Sequence, residues 1–198
     1  MFPDSCGMGQ VHDNVIDFVM DLPYPRAMVT AIFAGTFDPP TYGHLNIVER
    51  ARGIFGHLYV VVAVNRQKSG LFTAEERFSL LSQLLAPWPN VSVHLHDRLI
   101  VEFARQHECR VLVRGVRSVS DFSYEFELSI MNKGLDPEIE TFFMPTDPRY
   151  FVLRSSAIRE LASFKGDLSS MVPPEVAGAL RAKVEAEEGG RGSGIAHA

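Results

Sequence analysis

Gly35-Thr36-Phe37-Asp38-Pro39-Pro40-Thr41-Tyr42-Gly43-His44 is the stretch from which the fold reads outward. The apolar run Ala31-Ile32-Phe33-Ala34 precedes it and predicts a buried first strand. Leu45 to Ala51 follows it and predicts a helix, with Leu45 and Val48 three apart on one face. The unit is therefore a strand, a glycine-containing turn, and a helix whose first turn carries Gly43-His44. A helix N-terminus presents unpaired N–H groups and the positive end of the macrodipole, which suits phosphate. Gly35 and Gly43 would let backbone approach such a ligand, having no Cβ. His44 then stands where a side-chain donor could meet charge developing on phosphorus. The plainer reading is that His44 satisfies the helix end and the glycines only turn the chain. On this unit alone both readings stay open.

The same alternation continues along the chain. Leu58 to Val64 is a continuous apolar run, as in a strand covered on both faces. Thr73-Ala74-Glu75-Glu76 is a capping box that opens a helix through Leu85. Pro87 and Pro89 stop it, and a third strand follows over Val91 to Leu95. Helices are predicted over Leu99 to His107 and Asp121 to Asn132, and short strands over Val111 to Val113 and Thr141 to Met144. Ser156 is expected to cap a helix to Phe164, and Pro174, at a first-turn position, starts the last one. Strands alternating with helices imply βαβ crossovers and a parallel sheet. The predicted architecture is a single Rossmann-like α/β domain with a five-stranded parallel sheet flanked by helices.

Domain bounds follow from composition. Residues 1–28 are Gly-, Pro- and Asp-rich and read as a disordered leader, with at most a helical turn or two over Val15 to Met20. Met28 stands directly before the first strand, so the leader is read as a start-site artefact outside the fold. The folded domain is placed at 29–184 and a disordered tail at 185–198, whose last ten residues are Gly-, Ser- and Ala-rich. The net charge of −5 divides the same way: the leader carries −3 and the tail −2, leaving the body neutral. A neutral body excludes a broad nucleic-acid-binding face while leaving room for a small basic site. No apolar stretch approaches the roughly 20 residues of a membrane span. No basic segment followed by an apolar core opens the chain. Cys6 and Cys109 are isolated and far apart, so a reducing cytoplasm is expected and a disulfide or metal framework is not.

In a parallel sheet, ligands collect at the carboxyl ends of the strands. Thr36 and His44 follow the first strand there, Lys68 the second, Arg114-Gly115-Val116-Arg117 the fourth, and Arg154-Ser155-Ser156 the fifth. Several cations, two hydroxyls and a helix start on one rim suit a polyphosphate. Any one of these cations could equally be a solvated surface charge.

The run Gly35-Thr36-Phe37-Asp38-Pro39 with Thr41-x-Gly43-His44 resembles the nucleotidyltransferase signature, a relative of the His-x-Gly-His motif of class I aminoacyl-tRNA synthetases. Joined to Arg114-Gly115-x-Arg117 and Asp121-Phe122-x-Tyr124-Glu125, it resembles the bacterial phosphopantetheine adenylyltransferase family over about Ala31 to Val184. The resemblance implies transfer of the adenylyl group of ATP to 4′-phosphopantetheine, with magnesium, in a homohexamer. Thr36 and Phe37 would then touch both substrates, and His44 would contact the ATP phosphates and stabilise the transition state. His44, Lys68 and Arg117 would form the catalytic set. Lys68 and Arg114 would hold the phosphopantetheine phosphate, with Ile100 along the pantetheine arm. Gly115, Val116, Arg117 and Glu125 would bind ATP, as would Tyr150, Phe151, Val152, Leu153, Arg154, Ser155 and Ser156. No metal-ligating side chains are implied, because the ion would ride largely on the nucleotide phosphates.

This chain departs from the family at Arg154, where a serine is usual. The arginine could reach a β- or γ-phosphate or lie outward in water, and crowding beside Lys68, Arg114 and Arg117 favours the outward course. Phe122 and Phe126 are expected in the core, while Tyr124 could be a core aromatic and Glu125 a plain solvated residue. His12, His57, His94, His96, His107 and His197 show no ligand spacing and receive no role. The rival readings are another small-molecule nucleotidyltransferase, of nicotinate-mononucleotide or cytidylyl type, and a non-catalytic nucleotide-sensing module on the same fold. Thr41 and the Arg-Gly-x-Arg segment argue against the first. Thr36, His44, Lys68, Arg114 and Arg117 together argue against the second.

Overall fold

The computed structural model describes residues 29–64, 70–150 and 154–192. The leader, Lys68, Phe151, Val152, Leu153 and the last six residues lie outside the described residues. Five strands form one parallel sheet: β1 Thr30–Gly35, β2 His57–Ala63, β3 Val91–His96, β4 Val111–Val116 and β5 Glu140–Pro145. Their spatial order is β3-β2-β1-β4-β5, so the chain steps outward from β1 in one direction and then in the other. Among the described residues the helices are α1 Tyr42–Ile54, α2 Ala74–Leu85, α3 Ile100–Gln106, α4 Val119–Leu135, α5 Ser155–Ser163 and α6 Pro174–Gly192, with a 3-10 turn at Pro148–Tyr150.

Period two along β1 and β2 explains why both strands read as unbroken apolar runs. Ala31, Phe33, Leu58, Val60 and Val62 pack under Ile47, Val48 and Ala51 of α1 and Leu81 and Leu85 of α2. Ile32 and Val61 face the opposite way and meet Val101, Phe103 and Ala104 of α3. Each face is covered, so neither needs a polar residue. A third cluster joins α5 and α6 through Ile158, Ala162, Val176 and Leu180 and reaches Tyr42, Phe72 and Leu84. That packing brings the start of α5 beside the start of α1.

Four expectations need correction. β4 runs to Val116, so Arg114, Gly115 and Val116 belong to the strand rather than to the loop after it. Helix α5 begins at Ser155 behind Arg154, whose side chain makes no capping bond, so Ser156 is not the cap. Phe122, Tyr124 and Phe126 are exposed rather than in the core; α4 buries no residue at all. Helix α6 continues to Gly192, past the predicted end of the folded body at Val184. Glu185 to Glu188 are good helix formers, and their propensity carries the backbone through the first glycines.

Candidate active site at the carboxyl ends of β1 and β4

β1 pairs with β4 at Ile32↔Leu112 and Phe33↔Val113. Beyond those pairs each strand keeps its other neighbour, β1 as far as Gly35↔Val62 and β4 as far as Val116↔Pro145. The two central strands thus part at their carboxyl ends, at the point where the sheet order reverses. In doubly wound sheets that is where ligands bind. Arg114 bridges the opening: its Nη1 donates to the Ala34 carbonyl at 2.8 Å and its Nε to Glu125 Oε2 at 2.5 Å. Two residues assigned to different substrates are therefore partners of each other.

His44 takes its setting from the cap of α1. Thr41 Oγ accepts the His44 backbone N–H at 3.3 Å, and the Thr41 backbone N–H donates to His44 Nδ1 at 3.1 Å. This is a capping box in which histidine stands where Glu or Gln is usual. An amide N–H can only donate, so Nδ1 must carry a lone pair and the ring proton sits on Nε2. Nε2 has no hydrogen-bond partner among the described residues. Close packing pushes the His44 pKa down to about 4, and the charge of Arg117 adds to that shift. The side chain keeps partial solvent access while the Phe37 ring meets it edge-on, centroids 5.0 Å apart. The sum is a neutral imidazole with one N–H held in reserve beside a cation.

The turn around it is stiff. Phe37 has φ of 49° yet is 1% exposed, and its ring packs edge-on to Phe33. Burial holds this left-handed conformation. With its side chain buried, Phe37 has only main chain to offer a substrate. A Cβ on Gly35 would lie 3.1 Å from the Phe37 ring, and one on Gly115 would lie 3.1 Å from Ile47 Cγ1. Both positions are small because of the protein packed against them. Thr36, at the end of β1, is exposed.

Arg117 donates to Asp121 Oδ2 at 2.9 Å, one turn into α4, and Ser118 caps that helix by accepting the Asp121 N–H. Arg154 reaches the other oxygen of Asp121 at 4.0 Å, with its side chain 58% exposed. The departure from the family thus faces the same carboxylate as Arg117 and remains largely in water. An open cleft of about 500 Å³ runs beside them, lined by Val116, Arg117, Phe122 and Pro145. Ile100 is half-buried at the start of α3, and Tyr150 stacks on Tyr42 with centroids 6.4 Å apart.

Sequence reasoning missed three residues here. Arg77 of α2 is 8% exposed and donates to the Thr36 carbonyl at 2.6 Å. Asp38 is slightly more buried and accepts the backbone N–H groups of Leu71 and Phe72 together with Arg159. A charged residue on an amphipathic pattern carries no mark of burial; the partners named here lie 33 to 121 residues away. Asp38, Asp121 and Glu125, acidic side chains of this rim, are thus all engaged by protein donors. Among the described residues no group of three or more His, Cys, Asp or Glu side chains could hold a metal.

The cytidylyltransferase-like family matches residues 32–161. A phosphopantetheine adenylyltransferase of Herminiimonas arsenicoxydans is 44% identical over 163 residues, covering 82% of this chain and all of that one. One from Treponema pallidum is 50% identical over 153 residues, covering 77% and 96%. Among solved structures, a putative nicotinate-nucleotide adenylyltransferase from Vibrio parahaemolyticus superimposes with a TM-score of 0.59 at 18% identity, covering 78% and 93%. That last likeness is one of fold.

Proposed function

Because the chain belongs to the phosphopantetheine adenylyltransferase family, within the cytidylyltransferase-like nucleotidyltransferases, we propose that it transfers the adenylyl group of ATP to 4′-phosphopantetheine. The products would be dephospho-coenzyme A and pyrophosphate, in coenzyme A biosynthesis. An oxygen of the acceptor phosphate attacks the α-phosphorus in line, the bond to the β-phosphate oxygen breaks, and pyrophosphate leaves. The acceptor is already an anionic nucleophile, so the step needs positioning and charge stabilisation rather than a strong base. The observation that carries this chemistry is the neutral His44 with an uncommitted Nε2–H at the parting of β1 and β4. A neutral donor suits charge that appears only as the bond to phosphorus changes, and Arg117 supplies fixed positive charge beside it.

The assignments of Arg117, Ser155 and Ser156 to ATP, and of Lys68 and Ile100 to the acceptor, rest on the resemblance. Arg114 would serve the acceptor phosphate if it exchanged Glu125 for substrate. Magnesium would be held mainly by the triphosphate, since Asp38 and Asp121 are already engaged, and would neutralise part of its charge. Homohexamer formation is supported by the apolar residues that α4 leaves exposed, Val119, Ile130, Met131 and Leu135. A cytoplasmic site is supported by the reduced, buried Cys109; no described helix is long and apolar enough to cross a membrane. The test is pyrophosphate release from ATP with a panel of phosphorylated acceptors. Release with 4′-phosphopantetheine is expected; release with nicotinate mononucleotide instead would move the chain to the rival reading.

A further inference from the structure

Asp38 sits inside the signature turn and is 6% exposed, so it has no direct access to substrate. Its Oδ1 accepts the Phe72 N–H at 2.9 Å and its Oδ2 the Leu71 N–H at 3.0 Å. Arg159 completes the set: Nη1 reaches Oδ2 at 2.8 Å and the Asp38 carbonyl at 2.5 Å. A Cβ on Gly70 would come within 2.8 Å of Oδ2, so the close approach needs glycine there. One peptide further on, Ser155 Oγ donates to the Pro39 carbonyl at 3.0 Å. Residues 155 and 159 are four apart on α5 and share a face. One face of the first turns of α5 is therefore tied twice to consecutive residues of the turn that leads to His44.

We propose that Arg159 is a positioning residue for the nucleotide. Through the carboxylate and carbonyl of Asp38 it fixes the N-terminal turn of α5 against the Thr36–Thr41 segment. The Ser155 and Ser156 end of that helix and the Nε2–H of His44 then keep the separation that a triphosphate must span. The proposal rests on the adenylyl-transfer reading for its substrate. It assigns to Arg159 an effect through other groups, because its guanidinium is engaged with Asp38.

A structural ion pair and a positioning tie are separated by kinetics on the full chain. The Arg159 side chain is 37% exposed. Its removal in Arg159→Met is expected to lower the melting temperature only slightly. The KM for ATP should rise about tenfold or more, while the KM for 4′-phosphopantetheine stays within about twofold. Arg159→Lys retains a donor toward Asp38 and should recover most of the ATP KM. An unchanged ATP KM in Arg159→Met, an equal rise in both KM values, or no recovery with lysine would overturn the proposal. Calorimetric titration of α,β-methylene-ATP into wild type and Arg159→Met separates this from the parent reading, because it needs no turnover. A tenfold weaker Kd in the variant supports the tie even if the acceptor proves to be a different phosphate. An equal Kd refutes the tie even if 4′-phosphopantetheine is the acceptor.

Discussion

Among the described residues two regions depress the pKa of a histidine, and only one of them is arranged to meet a ligand. At the start of α1, the cap consumes His44 Nδ1 and leaves Nε2–H uncommitted, with Arg117 near. At the β3 edge, His57 Nε2 and His94 Nε2 both lie on Ser92 Oγ, at 2.8 and 3.0 Å. A hydroxyl has one proton, so at least one of those rings must donate to it. His107 donates Nδ1–H to the Phe103 carbonyl at 3.0 Å and stacks on the Phe103 ring at 3.9 Å. Tyr59 meets the rings of His57, His94 and His107 within 4.7 to 5.5 Å. Here the imidazoles serve as aromatic packing, and each has a ring nitrogen taken up by Ser92 or by the Phe103 carbonyl. Burial lowers the pKa of His57, and burial followed by the charges of His107 and His57 lowers that of His94. A depressed histidine pKa is therefore common to both regions. What distinguishes the site is a leftover donor at a gap between strands.

The largest consequence concerns turnover. His44→Ala should lower kcat by ~10²–10³, or roughly 3–4 kcal/mol, as for a lost oxyanion-type donor, with much smaller changes in KM. His94→Gln should leave kcat within about twofold. Steady-state kinetics on both variants would erase the contrast if the two losses were alike.

The next effect is on nucleotide affinity. Arg117→Ala should raise the KM for ATP by about tenfold and leave that for the acceptor within about threefold. Losing the cation also leaves Asp121 facing the triphosphate, held then only by the distant Arg154. Equal changes in both KM values would contradict the assignment.

Acid stability sharpens the comparison from the other side. The folded-state pKa values of His44, His57 and His94 lie below the unfolded value of about 6.5, so the unfolded chain binds more protons. Their contribution is complete above that pH and is lost progressively as pH falls below it. Melting temperature should therefore drop between pH 7 and pH 5, and the drop should be shallower in His94→Gln. An unchanged slope in that variant would mean that the cluster does not resist protonation.

The smallest effect is at Arg154. With a 4.0 Å approach to Asp121 and most of its side chain in water, Arg154→Ser should change the ATP KM by less than about threefold, under ~1 kcal/mol. A tenfold rise would make it a phosphate ligand.

The order of strands and helices was legible because β1 and β2 are covered on both faces and the helices announce their caps, as Thr73 and Glu76 do. β4 was cut short because Arg114 and Gly115 look like loop residues. Their strand character comes from pairing with β5 and from the Ala34 carbonyl, which local pattern does not encode. Phe122 and Phe126 of α4 read as core in the sequence and are exposed in the structure, since periodicity identifies an apolar face without saying what covers it. His44 could be singled out from its motif, but its tautomer depends on the Thr41 cap. The His57–His94–His107 cluster and the Asp38–Arg159 tie join residues far apart in the chain, and only folding brings them together.

The central claim is that the cap holds His44 neutral with its proton on Nε2. Long-range proton–nitrogen correlation NMR on the histidine-labelled full chain tests it directly, with His44→Ala identifying the resonance. Between pH 7.5 and pH 5.5 the account predicts an unprotonated Nδ1 and a protonated Nε2 throughout. A ring that takes a second proton with a midpoint near 6.5, or that carries its single proton on Nδ1, would contradict it.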